Sequence, residues 1–372
     1  MAFYDCFVAA GLDNPANVPL LSVINPPLWE LGHLAWFAEW YILREAQSSD
    51  PTSAVRHSML TKGDDWFDSN TVPHGQRWNL GLPNSGSLKT YCREVHDRML
   101  DKLSRVADDD AALYPYRLAL AHEDMHGEAF AYTLQTLRVA PPAALAAHAL
   151  PSWAQGEIRF AGGTIGIGSE RQAPGFTFDN EKWAHPVHVP SFSMDSTLVS
   201  NAQYGEFIAD DGYQNPAFWS AAGRQWLMTQ NCGAPRAWLR DGNRWICERF
   251  DRHASLPANE PVRHVNLFEA QAYCVWAQRR LPSEVEWEMA ARSGHAAFRW
   301  GDLWEWTCTA FEPYPGFEVD AYREYSAPWF GTHQVVRGAS FATAARMKSP
   351  RYRNFYEPQR NDMFIGFRTC AL

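Results

Sequence analysis

Residues 118–137 read LALAHEDMHGEAFAYTLQTL, with His122 and His126 one turn apart in a run whose apolar residues recur at helical spacing. A four-residue step places both imidazoles on one helix face, within reach of a single cation. Upstream, Asp108-Asp109-Asp110 supplies an N-cap and a negative first turn, so this helix is expected to begin near Ala111. Leu88, Cys92, Val95, Met99 and Leu103 mark another helix before it by the same spacing, and Leu113, Leu118, Phe130, Leu134 and Leu137 continue the theme. Residues 1–140 are therefore expected to form a helix bundle.

The bundle should end in the connector VAPPAALAAHALPSW, Val139 to Trp153, where adjacent prolines and a shortage of charge interrupt the pattern. Beyond it, short strand-like pieces (TIGIGS, HPVHVPSFSMD, HQVVRGASF) alternate with Gly, Pro and Asn, and only 201–210, 267–280 and 283–293 carry helical spacing. The expected fold class is multidomain, with a second, irregular α+β domain at 153–372. A chain of 372 residues is long enough for both.

With 33 Lys+Arg against 42 Asp+Glu the chain carries a formal charge of −9 and no basic stripe, which argues against nucleic acid as a partner. There is no basic segment followed by an apolar one at the start, and no apolar run of membrane-spanning length, so no membrane association is expected. The seven cysteines are scattered, odd in number and without a CxxC pair; they read as reduced thiols in a cytoplasmic protein, monomer or dimer.

His33 lies in NPPLWELGHLAWFAEW, a polar ring among Trp29, Leu31, Leu34, Trp36 and Phe37. A buried imidazole needs a partner. A core histidine bonded to a backbone carbonyl is the simpler reading for such a residue alone; a bundle that brings it to the His122/His126 face would make a three-nitrogen site. Imidazole suits Fe(II), Zn or Cu, and three protein ligands leave positions open for substrate and O2 or water.

WELGHLAWFAEW and HEDMH resemble the ligand segments of the DinB-like helical domain of ergothioneine-type sulfoxide synthases. FAGGTIGIGS, VSNAQYGEFIADDGY, PVRHVNLFEAQAYCVWAQRRLPSEVEWEMAAR, LWEWTCTAFEPYPGF, VVRGASF and RNFYEPQRNDMFIGFRTC resemble the formylglycine-generating-enzyme-like domain, of C-type-lectin-like fold, that is fused to it. The form NPPLWELGH is most similar to the selenoneine synthase branch. The resemblance implies a DinB-like four-helix bundle whose His33, His122 and His126 hold a non-haem Fe(II). With O2 as co-substrate, the enzyme would join selenium from a selenosugar to C2 of the imidazole of hercynine, or sulfur from γ-glutamylcysteine or cysteine in the ergothioneine-type alternative. Met125 stands where many relatives have a Gln. A zinc-dependent DinB-type thiol transferase would use the same imidazoles to activate a thiol, and a non-catalytic binding module is a third reading.

The resemblance also implies roles in the second domain. No cysteine follows Arg337-Gly338-Ala339-Ser340-Phe341 within ATAARMKSPRYR, so the copper-dependent cysteine oxidation of formylglycine generators is rejected; Cys308 and Cys370 read as core. Asn354, Phe355, Tyr356 and Arg360 match the substrate-reading strand, Asn354 on the hercynine side and Arg360 toward an anionic or polyhydroxyl donor. Tyr356 replaces the Asp of thiol-using relatives, and a neutral phenol favours a donor without an ammonium. Trp304, Trp306, Phe355 and Tyr356 could face the trimethylammonium cation of hercynine. Arg77, in HGQRWNLG, could clamp a carboxylate or hydroxyls, although a solvated surface position is its simpler reading. The family's tyrosine near the metal, which supplies a proton as O2 is reduced, is matched to Tyr314; were Phe311 the aligned position, water or Tyr356 would serve.

Overall fold

The structure, a computed structural model, describes residues 1–146, 148–173 and 175–372, so that Ala147 of the expected connector lies outside the described residues. Two compact units divide the chain. The helical unit comprises Met1–Ala143 together with Gln172–Asp179 and Glu318–Pro328. Its helices are α1 (Ala2–Ala9), α2 (Pro27–Ala38), α3 (Gly63–Phe67), α4 (Ser85–Leu103) and α5 (Asp110–Thr136). Pro27 opens α2 at a position whose N–H would be unpaired in any case, and α2 runs on into a π-helical turn at Glu39–Leu43. Asn84 caps α4 by accepting from the Ser87 amide, and Asp109 caps α5 by accepting from Ala112, so the acidic cluster starts the helix as its composition implies.

The core of this unit is aromatic: Tyr4, Trp29, Trp36, Phe37, Trp40, Tyr41, Phe67 and Tyr91 are all buried in one cluster. The two later segments pack into it through Phe176, Ala321 and Tyr322. They are tied to each other by stacking of Phe178 on Tyr325 at 4.1 Å and by the Ser326 hydroxyl donating to Asp179 at 2.5 Å. A single linear boundary does not describe this unit, because both segments interrupt the sequence of the second unit to bury their rings here.

After the short turn α6 (Ala143–Ala146), the second unit carries β1 (Glu157–Phe160), β2 (Gly163–Ile167), β3 (His185–Val189), β4 (Phe192–Asp195), α7 (Asn201–Ala209) and α8 (Ala221–Gln230). There follow β5 (Trp238–Asp241), β6 (Arg244–Arg249), β7 (Arg252–Ser255), α9 (Leu267–Trp276), α10 (Glu284–Arg292), β8 (Trp304–Ala310), β9 (Gln334–Arg337), β10 (Asn354–Tyr356) and β11 (Ile365–Gly366). The largest sheet has the order β10-β9-β8-β11, with β11 parallel to β8 and the other pairs antiparallel. Among the described residues, three smaller sheets, β1-β4, β2-β3 and β5-β6-β7, precede it in sequence. Capping boxes start α7 (Ser200/Gln203), α9 (Asn266/Glu269) and α10 (Ser283/Glu286). Helix α8 lies outside the expected helical segments: Ser220 caps it, but Gly223 takes the place where a capping box has Glu or Gln.

Trp304 and Trp306 are fully buried on β8, and the Trp306 indole donates to the Val265 carbonyl at 2.9 Å. They are core residues, which corrects the expectation that they could face a substrate cation. Cys370 is buried as expected, whereas Cys308 is exposed, because the β8 burial pattern gives way to solvent from that residue onward. All seven cysteines are free thiols. No helix is long and apolar enough to cross a membrane among the described residues.

Candidate metal centre

Helix α2 places Trp29, Glu30, His33 and Phe37 in the aromatic core of the helical unit. Gly32 makes room for its neighbour: a Cβ there would lie 2.2 Å from the Phe67 ring, so only glycine lets α3 approach α2 this closely. That approach brings the Phe67 carbonyl to the His33 ring, where Nδ1 donates to it at 2.8 Å, and the Trp29 indole donates to the Trp66 carbonyl at 2.6 Å. A carbonyl can only accept, so His33 carries its proton on Nδ1 and presents a bare Nε2 lone pair.

Helix α5 supplies the other two rings. Nε2 of His33 is 3.2 Å from Nε2 of His122, and the ring centroids of His33, His122 and His126 are 4.5–5.1 Å apart in every pairing. Each ring offers a ligand atom, and these atoms lie within 4.8 Å of one another. His126 donates from Nδ1 to Oε1 of Glu30 at 2.8 Å; Glu30 is only 2% exposed. A backbone carbonyl behind His33 and a carboxylate behind His126 are the outer partners that orient metal-binding imidazoles and fix their tautomers. The donor set fits one cation with three nitrogen ligands.

The walls are aromatic. The Trp29 ring stacks on His33 at 4.9 Å, and the Phe37 ring lies face to face with His122 at 3.6 Å and 3°. Burial, followed by the charge of neighbouring imidazoles, holds His33 and His122 well below the usual histidine range, so both rings are neutral with lone pairs available. Tyr322, from the later segment of this unit, meets His122 edge-on at 5.9 Å and Phe37 at 5.0 Å. Burial and the nearby Glu324 carboxylate raise its phenol above the ordinary tyrosine value, so it keeps its proton at neutral pH.

Arg77 belongs to the same neighbourhood. Its guanidinium lies 4.0 Å over the Trp29 ring, on which His33 also stacks, and donates to the Asn25 side chain at 2.8 Å and the Val72 carbonyl at 3.2 Å. Burial brings it down to about 10, against the pull of Glu30 and Tyr322. The solvated surface position expected for it is corrected: the ring stack draws it inward.

The remaining sequence candidates lie in the second unit. The Tyr314 hydroxyl donates to Glu284 at 3.4 Å under the Arg353 guanidinium, 4.2 Å from its ring, in a buried network where Arg353 pairs with Glu284 and Arg337 with Glu288. Asn354 and Tyr356 project along β10, with the Asn354 amide donating to the Tyr356 hydroxyl at 3.2 Å, and Phe355 stacks on Phe311 at 3.9 Å. Arg360 makes a two-pronged pair with buried Asp362 at 2.6 and 2.7 Å. Sequence reasoning missed Tyr322 and Glu30. Glu30 had a readable signal, a carboxylate in an apolar helix three residues before His33; Tyr322, in a stretch without periodicity, had none.

Comparison with known proteins places the chain in a family. Residues 144–302 and 299–371 match the sulfatase-modifying factor enzyme 1-like domain. Over 404 residues the chain is 32% identical to a hercynine oxygenase of Mycolicibacterium smegmatis, covering 94% of this chain and 91% of that protein. It is 23% identical to the ergothioneine biosynthesis protein 1 of Schizosaccharomyces pombe, over 97% of this chain and 54% of that one. A formylglycine-generating enzyme of Streptomyces coelicolor matches only 41% of the chain, at 34% identity and over 53% of its own length. The first likeness spans nearly the whole of both chains, the second nearly all of this chain and about half of the other, and the chain belongs to the ergothioneine-type sulfoxide synthase family.

Proposed function

We propose that the protein is a non-haem iron enzyme that uses O2 to join a chalcogen donor to C2 of the imidazole of hercynine, and that its helical unit is a DinB-like bundle. The observation that carries this reading is the convergence of His33, His122 and His126, backed by Phe67 and Glu30 and faced by a protonated tyrosine. A ferrous ion held by the three Nε2 atoms would supply the centre at which O2 is reduced. For a donor H–X–R, with X sulfur or selenium, the balance is C2–H + H–X–R + O2 → C2–X(=O)–R + H2O: one oxygen atom goes to the chalcogen, the other to water. The competing outcome, H–X–R + O2 → R–XO2H, leaves hercynine untouched.

The chain's own residues divide the work. The Phe67 carbonyl and Glu30 hold the imidazole tautomers; the aromatic walls exclude water. Tyr322, rather than Tyr314, is the residue placed to deliver a proton beside the imidazoles, since Tyr314 is engaged with Glu284. Asn354 and Tyr356 would read the substrates from β10. The donor is a selenosugar on this reading. Tyr356 offers no charge to an ammonium, and Arg360, already neutralised by Asp362, is left to bond hydroxyls rather than to balance a carboxylate-rich thiol.

Anaerobic reconstitution with Fe(II), metal analysis and O2 uptake with hercynine plus a selenosugar, γ-glutamylcysteine or cysteine in parallel test the reading, with the product identified by mass spectrometry. Expected are one iron per chain, uptake only with hercynine and donor together, and the selenium conjugate as main product. Turnover with thiols alone would end the selenium assignment, and full activity with zinc under anaerobic conditions would end the oxidative one.

A further inference from the structure

The segment that delivers Tyr322 is gripped on both sides of that residue. The Ala321 carbonyl accepts from the Tyr41 hydroxyl at 3.2 Å and from the Ser49 hydroxyl at 3.3 Å, and the Arg323 amide donates to the Ser49 oxygen at 3.3 Å. The two hydroxyls are themselves 3.2 Å apart, so Tyr41 can give its single proton either to Ala321 or to Ser49. Tyr41 lies four residues beyond Phe37, in the π-helical turn that extends α2. Its ring sits 4.7 Å from Phe37, the ring that touches both His122 and Tyr322. Glu39 anchors the same turn, accepting from the Tyr91 hydroxyl at 2.5 Å and the Met59 amide at 2.7 Å. A wide helical turn, pinned in the core, thus carries a hydroxyl aimed at the backbone next to Tyr322.

We infer that Tyr41 and Ser49 are positioning residues, a hydroxyl clamp that fixes the Tyr322 backbone and with it the distance from the phenol to the substrate bound at the imidazoles. The inference rests on the proposed role of Tyr322 and extends it. A phenol that must hand over a proton within one turnover has to be held in register, because small misplacements of a reacting group cost rate steeply. Segment 318–328 has no strand or α-helix of its own to hold it; side-chain hydroxyls from the bundle take that part. The clamp acts on the partition between chalcogen transfer to C2 and oxidation of the donor alone, both balanced above.

The variants are Ser49→Ala, Ser49→Thr and Tyr41→Phe, in the full-length protein. In iron-free protein, hydrogen exchange at the Arg323 amide is expected to quicken about tenfold in Ser49→Ala and to stay near wild type in Ser49→Thr, which keeps the oxygen. In iron-loaded protein, the metal content should hold while the ratio of C2 conjugate to O2 consumed falls about threefold or more in Ser49→Ala and Tyr41→Phe, with Ser49→Thr restoring it. Unchanged exchange in Ser49→Ala overturns the clamp, and so does faster exchange with an unchanged product ratio. A wild-type protein that takes up no O2 with hercynine and donor would instead sink the reading of the site, and the exchange in iron-free protein then decides the clamp by itself.

Discussion

Glu30 shows how a single residue can serve packing and chemistry together. A carboxylate 2% exposed inside an aromatic core is costly unless paired, and its partner is the Nδ1 proton of His126. Replacing it with Gln keeps the shape and loses the charge that makes the imidazole a stronger donor. Glu30→Gln is expected to weaken Fe(II) affinity by roughly 10- to 100-fold in a competitive chelator titration, while far-ultraviolet circular dichroism stays unchanged. Equal affinity in the two proteins would show that the carboxylate is only a packing partner. At this scale His33 was legible because a lone polar ring stood among tryptophans, and Trp29, four residues earlier on α2, shares its face by helical spacing; that the carbonyl behind it would be that of Phe67 was not, since α3 is a separate element.

Among the elements, the crossing of α2 and α3 depends on Gly32. A methyl group there meets Phe67 at 2.2 Å, far inside contact distance, so α3 must retreat and the Phe67 carbonyl leaves the His33 ring. Gly32→Ala is expected to destabilise the protein by about 1–3 kcal/mol in chemical denaturation and to lower iron occupancy in parallel. A loss of stability with full occupancy would separate packing from the site. In the second unit the α9 capping box has its own pH signature. Burial lifts Glu269 from 4.5 to about 7, even though Tyr213 and the Asn266 amide donate to it at 2.6 and 2.8 Å. Its folded value lies above its unfolded one, so the native state binds the extra proton and stability falls as pH rises from about 4.5 to about 7. The loss is at most about 3 kcal/mol, and Glu269→Gln should flatten that part of the stability profile measured by denaturant titration. An unaltered slope would assign the pH response to other groups.

Across the whole molecule, a site of three converging imidazoles couples metal binding to folding. A cation bound only by the folded state raises its stability by about 2.7 kcal/mol at a hundredfold excess over its dissociation constant. Anaerobic Fe(II) should therefore raise the melting temperature of the wild type and leave that of His122→Ala unmoved; the same shift in both would place the binding elsewhere. The two late segments, 172–179 and 318–328, show that the helical unit is not built from the N-terminal residues alone, because it draws Phe176, Phe178, Tyr322 and Tyr325 from stretches that interrupt the second unit.

Local physics is what the sequence determined: the acidic cap and apolar period of α5, the one-turn spacing of His122 and His126, the helical spacing at 201–210, 267–280 and 283–293, and the mismatch of an imidazole with an apolar helix. Each of these is a relation between residues a few positions apart, where helical periodicity and hydrogen-bonding capacity decide. Only the tertiary structure decided which tyrosine stands beside the imidazoles, that Arg77 is drawn in over Trp29, and that Trp304 and Trp306 are core. Those outcomes depend on where irregular segments return to bury their rings and satisfy their backbone groups, and such a return leaves no period in the sequence to read.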